Sequence, residues 1–247
     1  MNRIIFVFLA FSITQIVFSQ NDLKKITITK DVELLKISDN AYVHVSYSDI
    51  PQYGRISSNG LVFIDKGKAF LFDTPVTDSL TKDLVTWLQD SMKIEIVGFI
   101  PNHWHIDCMG GLGYLNSVGI NSYANELTIQ IAKSKNLPVP KQGFRDSLIL
   151  KLNDKVIRCY YLGAGHTLDN IVAWIPSEHI LFGGCMVKDL NAKDLGNIAD
   201  ADLKEWPTTI SKAIHKFPNA RYVIPGHGQV GGIELLTHTQ QLLTRTK

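Results

Sequence analysis

Between residues 41 and 72, apolar positions come in short runs rich in β-branched and aromatic side chains: Ala41–Tyr47, Gly60–Ile64 and Ala69–Phe72. Ser, Asp, Asn and Gly separate them, which predicts strands in an opening antiparallel meander. The period then changes. From Thr77 to Met92, Leu80, Leu84, Val85, Leu88 and Met92 fall on one face of a helix, with Thr77 or Asp78 placed to cap it. The unbroken apolar run Ile94–Ile100 predicts a buried strand, ended by Pro101. The same theme returns later, with strands near Lys155–Leu162, Ile171–Ile175, Ile180–Phe182 and Tyr222–Ile224, and helices at Leu203–Phe217 and Ile233–Thr244. No low-complexity or Pro/Gly-rich joint divides residues 21–247, so they read as one domain. Strands mixed with helices in two similar halves predict two sheets packed face to face with helices outside. Periodicity alone does not separate that layout from other α/β folds.

The N-terminus has a different character. Asn2 and Arg3 make a short polar, positive start, Ile4–Ile13 is almost wholly apolar, and the small Ser19 precedes a charged stretch. This predicts a secretory signal peptide over residues 1–20. The run is too short and interrupted to span a bilayer comfortably, and the alternative is an uncleaved anchor. No cysteine precedes Cys108, which excludes a lipid-bearing cysteine near the cleavage site. Elsewhere the composition is that of an ordinary globular chain, 45% hydrophobic and 19% charged with net charge +2. No basic run suggests nucleic acid or anionic lipid as a partner, and no membrane contact is expected once the signal is removed. Export would place the mature chain in the oxidising periplasm, where cysteines tend to pair. With three of them, Cys108, Cys159 and Cys185, at least one thiol stays unpaired. Metal ligation is one reason to keep it.

The segment Pro101-Asn102-His103-Trp104-His105-Ile106-Asp107-Cys108-Met109-Gly110-Gly111 follows directly on a predicted strand. If it is extended, His103, His105 and Asp107 alternate and share one side. Two imidazoles and a carboxylate suit Zn²⁺. Further ligand types stand beside glycine just after apolar runs: His166 in Gly163-Ala164-Gly165-His166, Cys185 in Gly183-Gly184-Cys185, and His227 in Pro225-Gly226-His227-Gly228. The repetition predicts a metal site at one edge of the sheets.

These motifs resemble the metallo-β-lactamase superfamily, and within it the first subclass of class B zinc β-lactamases. Pro101–Leu115 and the run Gly183–Asp189 look especially like the CcrA (CfiA) type, and the likeness extends from about Ala41 to the C-terminus. The resemblance implies an α/β fold of αββα sandwich form and two Zn²⁺ per chain. It assigns His103, His105 and His166 to one ion, and Asp107, Cys185 and His227 to the other. It also implies hydrolysis of penicillins, cephalosporins and carbapenems by a zinc-held hydroxide, conferring resistance, in a monomer. Three imidazoles leave the first ion an open position for water, while a carboxylate, a thiolate and one imidazole neutralise the second.

Other residues take roles from the same resemblance. Lys188 matches the position that pairs with the substrate carboxylate, and Asn197 the position proposed to polarise the lactam carbonyl; an Asn beside Gly is also a common turn. Asp73 matches a buried acid that orients the ligands. Ser46–Asn59 matches a flap over the site, with Ile50, Pro51 and Tyr53 at its apolar tip; a plain hairpin is the alternative. Cys108 is expected near the site without ligating, and Cys159 in the core. His44, His179, His215 and His238 are expected to be structural or exposed. Two competing functions remain open: a lactone or thioester hydrolase of the same superfamily, and an exported zinc-binding protein without turnover.

Overall fold

The computed structural model describes residues 23–50 and 54–245, with the side chain of Ile50 not described. The signal-peptide reading of residues 1–20, Tyr53 and the side chain of Ile50 therefore lie outside the described residues. Two sheets face each other. The first runs β1 (Lys24–Thr29), β2 (Val32–Ser38), β3 (Ala41–Ile50), β4 (Gly54–Asp65), β5 (Lys68–Phe72) and, after helix α1 (Asp78–Met92), β6 (Glu95–Ile100), in spatial order of sequence. The meander was expected to open at Ala41. It opens seventeen residues earlier, because Lys24-Lys25-Ile26-Thr27-Ile28-Thr29 already alternates and forms an edge strand along β2.

Short elements follow: α2 (Ile106–Met109), α3 (Leu112–Ser117), β7 (Tyr123–Asn125), α4 (Glu126–Ser134) and β8 (Gln142–Phe144). The second sheet contains β9 (Ser147–Leu152), β10 (Lys155–Tyr160), β11 (Val172–Ile175), β12 (Ile180–Gly184) and, beyond α5 (Trp206–Lys216), β13 (Tyr222–Pro225). Helix α6 (Glu234–Arg245) completes the described chain. Residues 203–205, expected as helix, form a turn in which Asp202 Oδ1 accepts from the Lys204 and Glu205 amides, so the helix starts at Trp206.

Burial explains the layering. Phe63, Phe72 and Ile100 of the first sheet meet Ile157, Phe182 and Ile224 of the second in a shared core. The opposite face of the first sheet receives Leu84, Val85 and Leu88 from α1, whose start is fixed by the Thr77 side chain accepting from the Leu80 amide. Each such side chain contributes roughly 1.5–3 kcal/mol on burial. Helices α5 and α6 cover the outer face of the second sheet through Ile210, Ala213, Leu236 and Leu243, with Trp206 fully buried. The result is the expected αββα order. In each sheet one strand pair is parallel, β5 with β6 and β12 with β13. Parallel pairing aligns the C-terminal ends of those strands, and the loops leaving them converge on one edge. Among the described residues no helix is long and apolar enough to cross a membrane.

Candidate metal centre

The convergent loops carry the predicted ligand residues. Asp73 follows β5, His103 and His105 follow β6, His166 follows β10, Cys185 follows β12, and His227 follows β13. Their arrangement differs from the sequence reading in one respect. Residues 103–107 do not form an extended stretch: His105 caps α2, so Asp107 lies in helix and turns towards the site within one turn. His103, His105 and His166 bring one ring nitrogen each within 4.8 Å of the others. Their ring centroids lie 4.6, 4.9 and 5.2 Å apart with edge-on planes. A second group adjoins it. Asp107 Oδ2 is 3.5 Å from Cys185 Sγ and 3.1 Å from His227 Nε2. Cys108 and His103 share a 4.8 Å cluster with Asp107 and Cys185.

Outer contacts decide which nitrogen each ring can offer. His227 Nδ1 donates to the Ser57 carbonyl at 2.6 Å, leaving Nε2 towards Asp107. His105 Nε2 faces Asp200 Oδ2 at 2.9 Å, leaving Nδ1. His103 Nδ1 lies 3.2 Å from Asn102 Oδ1, leaving Nε2. Fixing a ring's tautomer through its second nitrogen is how proteins orient metal-bound imidazoles. His166 Nδ1 is buried with no hydrogen-bond partner among the described residues, and its ring lies edge-on to Trp206 at 5.9 Å.

The two groups differ in charge. Burial pushes His103 down to about 3 and drives His166 far below the usual imidazole range, so both rings are neutral donors. In the other group, a hydrogen bond from the Cys108 thiol lowers Cys185 to about 6, despite burial. Burial opposes ionisation of Asp107, but contact with His227 and nearby His103 holds its carboxyl well below the ordinary range. His227 is desolvated too, yet the Cys185 and Asp107 anions hold it well above its usual value. Three imidazoles beside an anionic carboxylate–thiolate pair form a donor set suited to zinc. The Cys185 sulfur also depends on a close backbone approach: a Cβ on Gly226 would sit 2.3 Å from it. Cys159 is buried in the shared core and pushed up to about 12 by burial, as expected of a packing thiol.

Lys188 is half-buried, its Nζ 5.5 Å from the centre of the Trp206 ring, and burial lowers its pKa against the raising influence of Cys185 and Asp107. Asn197 is exposed, and its Oδ1 accepts from the Ala199 amide at 3.1 Å. The turn is therefore real, and only the NH₂ end of the amide is left for a substrate. Asp73 is buried, with Oδ1 accepting from the Asn102 amide. Ser46–Asn59 is less of a loop than expected: β3 and β4 stay paired as far as Ile50 opposite Gly54. Sequence reasoning missed Asp200, Asn102 and Trp206. Asp200 stands in an irregular stretch with no periodicity, so only its contact with His105 reveals it.

No protein-family model matches the chain. It is 51% identical over 222 residues to the metallo-beta-lactamase type 2 of Bacteroides fragilis, covering 90% of this chain and 89% of that protein. It is 36% identical over 215 residues to the metallo-beta-lactamase type 2 of Bacillus cereus, covering 87% and 84%. Among solved structures, a metallo-beta-lactamase from Pontibacter korlensis superposes with a TM-score of 0.83 at 38% identity, over 86% of this chain and 99% of that one.

Proposed function

Because the chain belongs to the class B metallo-β-lactamases, on 51% identity over 90% of its length, we propose that it is an exported enzyme holding two zinc ions. The chain is a zinc hydrolase that opens the amide bond of β-lactam rings, in penicillins, cephalosporins and carbapenems, and so confers resistance. His103, His105 and His166 would hold one ion, and Asp107, Cys185 and His227 the other. The observation carrying this reading is the meeting of a three-histidine group and an Asp–Cys–His group at one edge of both sheets. Bound zinc supplies Lewis acidity and lowers the pKa of water to about 7.

The remaining work falls to the chain's own side chains. The Lys188 ammonium, half-withdrawn from water, pairs with the substrate carboxylate and fixes the ring's orientation. Charge-assisted contacts strengthen as water is excluded. Asn197 gives its NH₂ group to the lactam carbonyl, where negative charge develops. Asp107 orients the attacking water as well as binding metal. Asp73 and Cys108 keep the ligands aligned without binding metal themselves. Ile50 and Tyr53 close over apolar substituents, while the exposed Ile106, Leu168 and Ile198 offer further apolar surface beside the ligand-bearing segments. The signal peptide at residues 1–20 directs the chain to the periplasm, where residues 21–247 act as one monomeric domain.

The test uses the purified mature protein. Metal analysis should give two zinc ions per chain, nitrocefin should be hydrolysed, and chelation should abolish turnover until zinc is returned. Zinc binding without turnover of any β-lactam would make it a binding protein. Faster turnover of a lactone or thioester would make it a different hydrolase of the superfamily. N-terminal sequencing of the exported protein locates the cleavage.

A further inference from the structure

A buried histidine outside both ligand groups lies behind the centre. His44, on β3 opposite Gly60 of β4, is 1% exposed. Its Nε2 is 3.1 Å from the Asp73 carbonyl and 3.3 Å from the Phe72 carbonyl. Carbonyl oxygens only accept, so Nε2 carries the proton and donates to both. Among the described residues its buried Nδ1 finds no hydrogen-bond partner, so the ring's polar contacts there are all made through Nε2. Burial lowers the pKa to about 4, which keeps the ring neutral. The fit leaves no slack: a Cβ on Gly60 would lie 2.0 Å from His44 Nε2 and 2.4 Å from the Phe72 oxygen.

The acceptor has unusual backbone. Asp73 takes φ +55, a left-handed conformation that a non-glycine residue keeps only when its surroundings hold it there. That conformation sets the Asp73 carboxyl group, whose ionisation burial opposes, beneath the next loop. Asp73 Oδ1 accepts from the Asn102 amide, and the Asp73 amide donates to the Ile100 carbonyl at 3.1 Å. Asn102 Oδ1 then meets His103 Nδ1 at 3.2 Å, a nitrogen that Cys108 Sγ also approaches at 3.2 Å, while Asn102 Nδ2 donates to the Ile171 and Gly183 carbonyls. The next residue adds a clamp: Thr74 donates its amide to the Cys108 carbonyl at 2.9 Å, and its Oγ1 accepts from Gly111. A continuous series of contacts thus leads from β3 through Asp73 and Asn102 to the ring of His103.

We propose that His44 is a positioning residue for the metal centre: by holding the left-handed Asp73 it seats Asn102, which sets the orientation of His103. The inference rests on the reading of His103 as a zinc ligand. It assigns His44 no contact with substrate or metal. Loss of an outer partner of this kind weakens metal binding by about 10–100-fold.

The experiment compares His44→Leu, which fills space without a donor, with His44→Gln, whose amide nitrogen can reach where Nε2 lies. Zinc affinities of the full mature protein are read by competition with a chromophoric chelator. Cobalt substitution separates the nitrogen-ligand d–d bands from the thiolate charge-transfer band of Cys185. His44→Leu should bind the first ion about tenfold more weakly with altered d–d bands, and His44→Gln should return to within about threefold of wild type. Wild-type affinity in the leucine variant, or equal losses in both, would overturn the proposal. Should the leucine variant not fold, ¹⁵N spectra of the wild-type imidazoles decide. His44 should carry its proton on Nε2 and shift when zinc is loaded; a proton on Nδ1, or no shift, rejects it. A wild-type protein that binds no zinc would instead overturn the functional reading.

Discussion

The two halves of the metal centre solve different electrostatic problems. In the three-histidine group, burial suppresses the protons of His103 and His166, and outer partners fix His103 and His105. Such a site is ready for a cation before the cation arrives. The Asp107–Cys185–His227 group gathers two anions in a desolvated place, and these hold a proton on His227. A metal there must displace that proton, but it relieves anion crowding that nothing else fully relieves. Preorganisation dominates one half and charge compensation the other. Similar ligand geometry can therefore hide unlike dependence on pH and on single residues.

The largest expected effect breaks the second half. Cys185→Ser removes its softest donor, and occupancy of the Asp107–Cys185–His227 site should fall by more than the roughly 10–100-fold that loss of an outer partner costs. The three-histidine site should keep its ion. Metal analysis of the purified variant reads this directly, and equal loss at both sites in folded protein would dissolve the contrast. Next comes Lys188→Ala, which should leave both ions in place yet reduce kcat/KM about ten- to a hundredfold, from the roughly 1.5–3 kcal/mol of one charge-assisted contact. Unchanged kinetics with penicillins and carbapenems would take Lys188 out of the substrate site.

Asp200→Ala tests preorganisation in the first half. It frees His105 Nε2 and should weaken binding of the three-histidine ion by about tenfold, the low end for an outer partner, as Asp200 is partly exposed. Chelator competition would show this, with the thiolate-bearing site unaffected.

The pH dependence of the metal-free protein sharpens the comparison from another side. His44, at about 4, takes up no proton in the native state while the unfolded chain does so below about 6.5. The unfolded state then binds more protons, so stability is complete above about pH 6.5 and falls as pH drops towards 4. His103, at about 3, adds a loss of the same sign. Urea unfolding should show His44→Gln reducing the slope between pH 6 and 4.5 by about 1.4 kcal/mol per pH unit; an unchanged slope would mean that His44 is protonated in the fold. The smallest effect belongs to the flap. Replacing Ile50 and Tyr53 with alanine should raise KM a few-fold for bulky aromatic β-lactams and less for small carbapenems. Burial worth about 1–3 kcal/mol is partly offset by ordering the loop. Equal losses on every substrate, or lost zinc, would make the segment a structural hairpin.

Much of this was legible in the sequence because its signals are local. The helical spacing from Leu80 to Met92, with Thr77 as cap, is realised in α1, and the predicted strands fall close to their apolar runs, while β1, β2 and β9 were not predicted. Ligand types beside glycine after a strand mark where loops leave a sheet edge, a statement about the chain's path that needs no tertiary contact. What stayed hidden depends on partners distant in sequence. Asp200 matters through His105, 95 residues away, and Asn102 through Asp73, 29 residues away. His44 gave no sign of its role, because a histidine within an apolar strand looks the same whether it packs or donates. Asp107 was expected on an extended segment. Its helix is only four residues long, too short for a periodic signal.

The convergence of ligands from both sheets has a mechanical consequence. His103 and His105 come from the half of the chain before β9 and His166 from the half after it; for Asp107, Cys185 and His227 the division is one and two. An ion in either place would rivet the halves together at the edge where the shared core opens to water. A nick between β8 and β9 would leave two fragments, each with its own sheet, whose rejoining metal would favour by RT ln(1 + [M]/Kd). Zinc supply would then govern how firmly the sandwich stays shut, as well as whether it can cut a lactam.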